Sequence, residues 1–123
     1  MNIESTTEYG PHFPNKEQVL EVFKEFGQDA EESKLTIGLW IDEKRQKADL
    51  SESIVPRLLI DVESGNLFIE AGFQQLAIDC YNAVCDILEF DESLTLEIRE
   101  HLKSENEKLG DKISAYIEEI ENK

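Results

Sequence analysis

The sequence predicts an α+β domain, in which a three-stranded antiparallel meander has helices packed on one face, in the order α-β-β-β-α-α. Aliphatic residues take every second position over residues 35–42, which is the period of a half-buried strand. Turn-forming residues at 63–66 separate two short apolar runs, 57–62 and 67–71. From Phe73 to Leu88, apolar residues recur every three or four positions, which is the spacing of a core-facing helix.

The first helix is predicted to begin at Asn15. Asn15 and Gln18 have the spacing of a capping box, and Gly27 is a natural stop. Residues 1–13 carry no strong period. An alternation with polar neighbours at Ile3, Ser5, Thr7 and Tyr9 is compatible with an extra N-terminal edge strand. The alternative is a flexible arm.

The three strands follow. In the first, Leu35 and its alternate neighbours form the core face, and Trp40 points to the other side. Residues 43–53 hold the basic cluster of Lys44, Arg45 and Lys47 and are predicted to be a loop or a wide hairpin connection. Strands 57–62 and 67–71 then form a hairpin around the ESGN turn.

Two helices complete the predicted order, the first over 73–89. The second helix is predicted to be capped by Asp91 or Ser93. It is either one unbroken helix or two helices separated by a break at Gly110. An unbroken helix would place Asn106 at a buried heptad position, whereas a break at Gly110 would fold the chain back. The break is favoured, because glycine costs about 1 kcal/mol in a helix interior.

The charge of the chain bears on its function. With 123 residues and 14.1 kDa, it fits a single domain, 1–123, and its formal net charge is −16. This charge argues against direct binding to nucleic acid or to an anionic membrane, because phosphates are neutralised by surplus Lys and Arg. The N-terminus has no signal-peptide pattern, and two cysteines are too few for a disulfide scaffold. A cytoplasmic location is therefore predicted.

No catalytic, cofactor or metal motif is found. His12 and His101 are isolated, with no further His or Cys at metal-ligand spacing, and the six glycines are scattered. The chain is predicted to be no enzyme, and to have neither cofactor nor metal.

The acidic residues are least compensated in residues 48–90, where eight acids are accompanied by Arg57 as the only base. Such a one-sign surface speeds association with a basic partner. Trp40 and Phe68, on the open face of the sheet, are predicted as apolar anchors. The predicted partner-binding residues are Trp40, Asp61, Glu63, Phe68, Glu70, Asp79, Asp86 and Glu89.

These features predict an acidic binding protein that inhibits or neutralises a basic toxin, nuclease or nucleic-acid-binding complex. In size and acidity the chain resembles bacterial immunity proteins and phage anti-defence proteins that mimic nucleic acid, although no motif identifies a family. The alternative is a small acidic dimeric chaperone or adaptor of the secretion-chaperone type. Its homodimer would form through the C-terminal helix or the open sheet face.

Overall fold

The computed structural model describes residues 13–122, and all regular structure in that range is helical. The helices are α1 (Lys16–Phe26), α2 (Glu31–Leu50), α3 (Val55–Ala71), α4 (Gln74–Phe90) and α5 (Leu96–Glu121). The predicted α+β meander is therefore wrong. The edge strand or arm predicted for 1–13 lies almost wholly outside the described residues.

The chain divides into two compact units, one ending at Glu43 and the other beginning at Lys44. In the first unit, α1 begins and ends as predicted. Asn15 and Gln18 form both capping-box hydrogen bonds, and Gly27 ends the helix with φ 86°. The Ser33 hydroxyl donates to the Gly27 carbonyl at 2.6 Å and so fixes the first turn of α2 to the end of α1.

The predicted first strand and the loop after it form the single helix α2. Leu35 and Leu39, assigned to the core face of a strand, are exposed, whereas Ser33, Trp40 and Ala48 are buried. These three lie seven and eight residues apart, which is two helical turns in each case. The segment EKRQKADL, predicted to be a loop, consists mostly of good helix formers, and these favour a long helix.

In the second unit, α3, α4 and α5 pack pairwise as a three-helix bundle. The predicted hairpin is the unbroken helix α3, so its turn residues Gly65 and Asn66 lie inside a helix. A Cβ on Gly65 would lie 2.6 Å from Leu109 Cδ2 and 3.1 Å from Cys80 Cβ. The glycine therefore permits close approach of the three helices.

The core of the bundle is built from apolar side chains of α3, α4 and α5 together with Leu94. Its buried members are Leu58, Val62, Ile69, Ala77, Val84, Leu94, Leu102, Leu109 and Ile113.

Helices α4 and α5 differ from the prediction mainly at their ends. Helix α4 agrees with the predicted 73–89 to within a residue. Helix α5 is capped by Thr95, whose hydroxyl accepts from Ile98 N, and not by Asp91 or Ser93. The favoured break at Gly110 is also wrong. The helix is continuous through Gly110, and a Cβ there would lie 2.8 Å from Tyr81 Cε1, so the glycine makes room for that ring.

Candidate partner-binding face

The outer face of α4, which we define as Asp79, Asp86, Glu89 and Phe90, lies in the second unit. Ala77 and Val84 on the opposite side of the helix are completely buried. All four members of the outer face are exposed. Asp79 and Asp86 are seven residues apart, so they project from the same side of α4 about 10 Å apart along its axis.

None of the three carboxylates of this face forms an ion pair with a residue of 13–122. Helix α4 contains no Lys or Arg. Within residues 13–122, no basic group lies within 4 Å of Asp79, Asp86 or Glu89. Asp79 accepts a hydrogen bond from the Gln75 amide at 3.0 Å, which leaves its charge in place.

Two of the three carboxylates lie near the C-terminal end of α4. Exposed carbonyls give a helix C-terminus about half a negative charge, and acidic residues there cost about 0.3–1 kcal/mol each. Asp86 and Glu89 nevertheless occupy the last two turns, and the helix has no base in its last turn. These two acids therefore cost some helix stability, and the cation at this helix end comes from α5.

Beyond the helix end, the chain supplies two local stabilising groups. The Arg99 guanidinium of α5 donates to the carbonyls of Leu88 and Asp91 and so caps α4. The Ser93 hydroxyl and backbone N–H donate to the Asp91 carboxylate, and these hydrogen bonds lower the pKa of Asp91.

Two of the predicted site residues, Asp61 and Glu63, are compensated by the basic cluster of α2. Lys44 Nζ lies 3.4 Å from Glu63 Oε2, and Arg45 lies close enough to Asp61 to oppose the effect of burial on its pKa. Burial is the larger effect and raises the pKa of Asp61. The prediction that both acids are uncompensated is therefore wrong, because α2 carries Lys44 and Arg45 to α3.

The two predicted apolar anchors are not on an open face. Trp40 is only 4% exposed and lies on the same side of α2 as the buried residues Ser33 and Ala48. Phe68 is half-buried and packs against the core of the bundle. With no sheet among residues 13–122, the sheet face is also unavailable as a dimer surface. Glu70, the remaining predicted residue, is exposed near the end of α3.

The aromatic residue that the outer face does expose is Phe90, at 72%. Sequence reasoning missed it, although its position held the signal. Phe90 lies outside the apolar stripe that runs from Phe73 to Leu88, and an aromatic residue outside the core stripe of a helix points towards solvent.

The described residues offer little for metal or nucleophilic chemistry. No cluster of three or more His, Cys, Asp or Glu side chains within 13–122 is arranged to hold a metal ion. Of the two histidines, His101 is exposed on α5, and His12 lies outside the described residues. Cys80 and Cys85 are free thiols. Burial raises the pKa of Cys80 to about 11, which leaves little thiolate at neutral pH.

Comparison of the chain with known protein families, with curated proteins and with solved structures finds no match. None of the helices in the described part of the chain is long and apolar enough to cross a bilayer.

Proposed function

We propose that the chain is a non-enzymatic binding protein that inhibits or neutralises a basic protein partner through the outer face of α4. The observation that carries the proposal is one exposed side of α4 with three carboxylates that form no ion pair within residues 13–122 and the exposed ring of Phe90 at its C-terminal end. Aromatic side chains are enriched among the hot spots of protein interfaces, and charged residues commonly lie next to them.

The chemistry of the partner follows from these groups. Arginine suits them best, because its guanidinium pairs with carboxylates in a fixed fork and stacks on aromatic rings. A groove or patch that binds nucleic acid has such arginines. Asp79 and Asp86 would then occupy the place of backbone phosphates, and the protein would act as a nucleic-acid mimic in the cytoplasm.

Charge reversal tests the face directly. We expect Asp79→Lys/Asp86→Lys to weaken binding by at least about 2–5 kcal/mol, because each reversal removes an attraction and leaves a repulsion. Stability should not fall, since exposed substitutions usually change it by less than about 0.5 kcal/mol and a base near a helix C-terminus is favourable.

The matched control is Glu21→Lys/Glu25→Lys on α1, which changes the net charge equally at two exposed positions. The partner is first captured from the native host and eluted with a salt gradient, and its affinity for each variant is then measured by titration. Retained binding in the control and loss in the α4 variant support the proposal. Loss only in the α1 variant would move the site to α1, and binding that ignores ionic strength would contradict the mechanism.

One observation favours the alternative, a dimeric chaperone or adaptor. Phe90 and Leu96 are 72% and 73% exposed on either side of the α4–α5 connection, and apolar residues so exposed suit a client or a second copy. Sedimentation at high micromolar concentration distinguishes the two functions, because a purely monomeric chain would exclude the homodimeric chaperone or adaptor.

A further inference from the structure

A groove between α4 and α5 contains a cavity of about 380 Å³. Of the residues of the outer face of α4, only Glu89 lines it. Its walls from α4 include Tyr81, Cys85 and Leu88, which make an apolar surface. Cavities of about 300–1,000 Å³ with apolar walls and a few polar groups are the usual form of small-molecule sites.

Asn106 lines this cavity from α5 and is only 2% exposed. Its Nδ2 donates to the Tyr81 carbonyl at 3.3 Å and lies 3.5 Å from the sulfur of Cys85. Its Oδ1 is buried and accepts no hydrogen bond from any residue of 13–122. Folded proteins leave few buried acceptors unsatisfied, and such an atom calls for a donor from elsewhere.

Two charged side chains of α5 flank Asn106 on the same wall, Lys103 and Glu107. They are one helical turn apart, yet neither has an opposite charge within 4 Å among the described residues. The order Lys then Glu is the weaker orientation for pairing along a helix, which explains why they do not satisfy each other.

The remaining charges of the wall are Arg99 and Glu89, so cations and carboxylates are balanced at two each. The terminal nitrogens of Arg99 donate to the backbone carbonyls of Leu88 and Asp91, which commits this guanidinium to the end of α4. Lys103 is therefore the cation left for a ligand. A balanced wall suits a ligand that carries both signs of charge better than a simple anion or cation.

We propose that this cavity binds a small zwitterion, an α-amino acid with an apolar side chain. The carboxylate pairs with Lys103. The ammonium pairs with the carboxylate of Glu107 and, once the buried side chain of Asn106 turns towards the cavity, donates to its Oδ1. The apolar side chain occupies the space between Tyr81 and Leu88. This site does not depend on the proposed binding of a basic protein.

Three probes with the same phenyl group test the proposal: L-phenylalanine, 3-phenylpropanoate, which lacks the ammonium, and 2-phenylethylamine, which lacks the carboxylate. Each is titrated into the full chain at moderate salt, and ¹H–¹⁵N NMR follows the side-chain amide of Asn106 and the backbone amides of α4 and α5. We expect saturable shifts of Asn106 with L-phenylalanine. The other two probes should bind at least about tenfold more weakly, because each lacks one charged contact.

Lys103→Gln and Lys108→Gln form a matched pair on α5, because Lys108 is exposed, pairs with Glu105 at 2.9 Å and does not line the cavity. Only Lys103→Gln should weaken L-phenylalanine binding, again by at least about tenfold. The proposal is overturned if L-phenylalanine leaves the groove amides unshifted up to its solubility limit. Equal affinity of L-phenylalanine and 3-phenylpropanoate, or equal effects of the two lysine variants, would also overturn it.

Discussion

Replacing Gly65 by alanine tests the close approach of α3, α4 and α5. The new Cβ would lie 2.6 Å from Leu109 Cδ2 and 3.1 Å from Cys80 Cβ, both inside normal contact distance. Leu109 is completely buried, so its methyl group has little free space to move into. Overpacking costs about 1–3 kcal/mol, and a contact as short as 2.6 Å against a buried side chain belongs to the upper part of that range, about 2–3 kcal/mol. The better helix propensity of alanine returns about 1 kcal/mol. We expect a net loss of about 1–2 kcal/mol.

Gly38→Ala is the matched control, because Gly38 also lies inside a helix but its new Cβ would have no other atom within 4 Å. This variant should gain about 1 kcal/mol from helix propensity alone. Urea unfolding followed by far-UV circular dichroism gives both free energies of unfolding. The two variants should differ by about 2–3 kcal/mol, which corresponds to a difference in Tm of several degrees, about 4 °C per kcal/mol.

The result that would refute this reasoning is a Gly65→Ala variant as stable as the unmodified chain, measured beside a Gly38→Ala variant that gains stability. The three helices would then be further apart at Gly65 than the structure has them, and the glycine would have no packing role.

Two further predictions concern Arg99 and Cys80. Arg99→Ala should lower the free energy of unfolding by about 1.5–3 kcal/mol, because the carbonyls of Leu88 and Asp91 lose a charged donor, and Arg99→Lys should recover only part of it in the same urea assay. Because the pKa of Cys80 is raised from 9.0 to about 11, the unfolded chain releases this proton first as pH rises. The contribution of Cys80 to stability is therefore present below pH 9.0 and is lost towards pH 11. Cys80→Ala should flatten that fall, and an unchanged slope of stability against pH would contradict the shift.

The parts of the fold that could be predicted are those set by neighbouring residues. The capping box of Asn15 and Gln18 and the glycine at 27 act within one or two turns, so they determine α1 locally. The stripe of α4 is equally local, because apolar residues repeat over the whole helix.

The secondary structure of residues 31–71 could not be predicted, because it depends on contacts with residues that are far away in the sequence. The buried side of α2 includes Ser33 and Ala48, and neither residue is hydrophobic enough to indicate burial from the sequence. Leu35 and Leu39, which belong to the strand-like alternation, are exposed. A glycine in a turn and a glycine at a helix crossing look alike in sequence. At Gly65 the difference is made by Leu109, more than forty residues away.

The candidate site shows the same division. The excess of acidic residues could be counted, and the prediction that Asp79, Asp86 and Glu89 share a polar side of α4 needed only the helical period. That Lys44 and Arg45 would compensate Glu63 and Asp61 could not be predicted, because those bases were assigned to a loop. The strand predicted over 35–42 likewise placed Trp40 on an open face, whereas it is buried.

The contact of Gly110 with the Tyr81 ring has a consequence for how sequences of this fold can diverge. The two positions are linked sterically, since a side chain at 110 and a large ring at 81 compete for the same space. We expect substitutions to arise in compensating pairs: a descendant that gains a Cβ at 110 should lose the aromatic ring at 81. Distant relatives would then be recognised by this exchange between two helices better than by any run of consecutive residues.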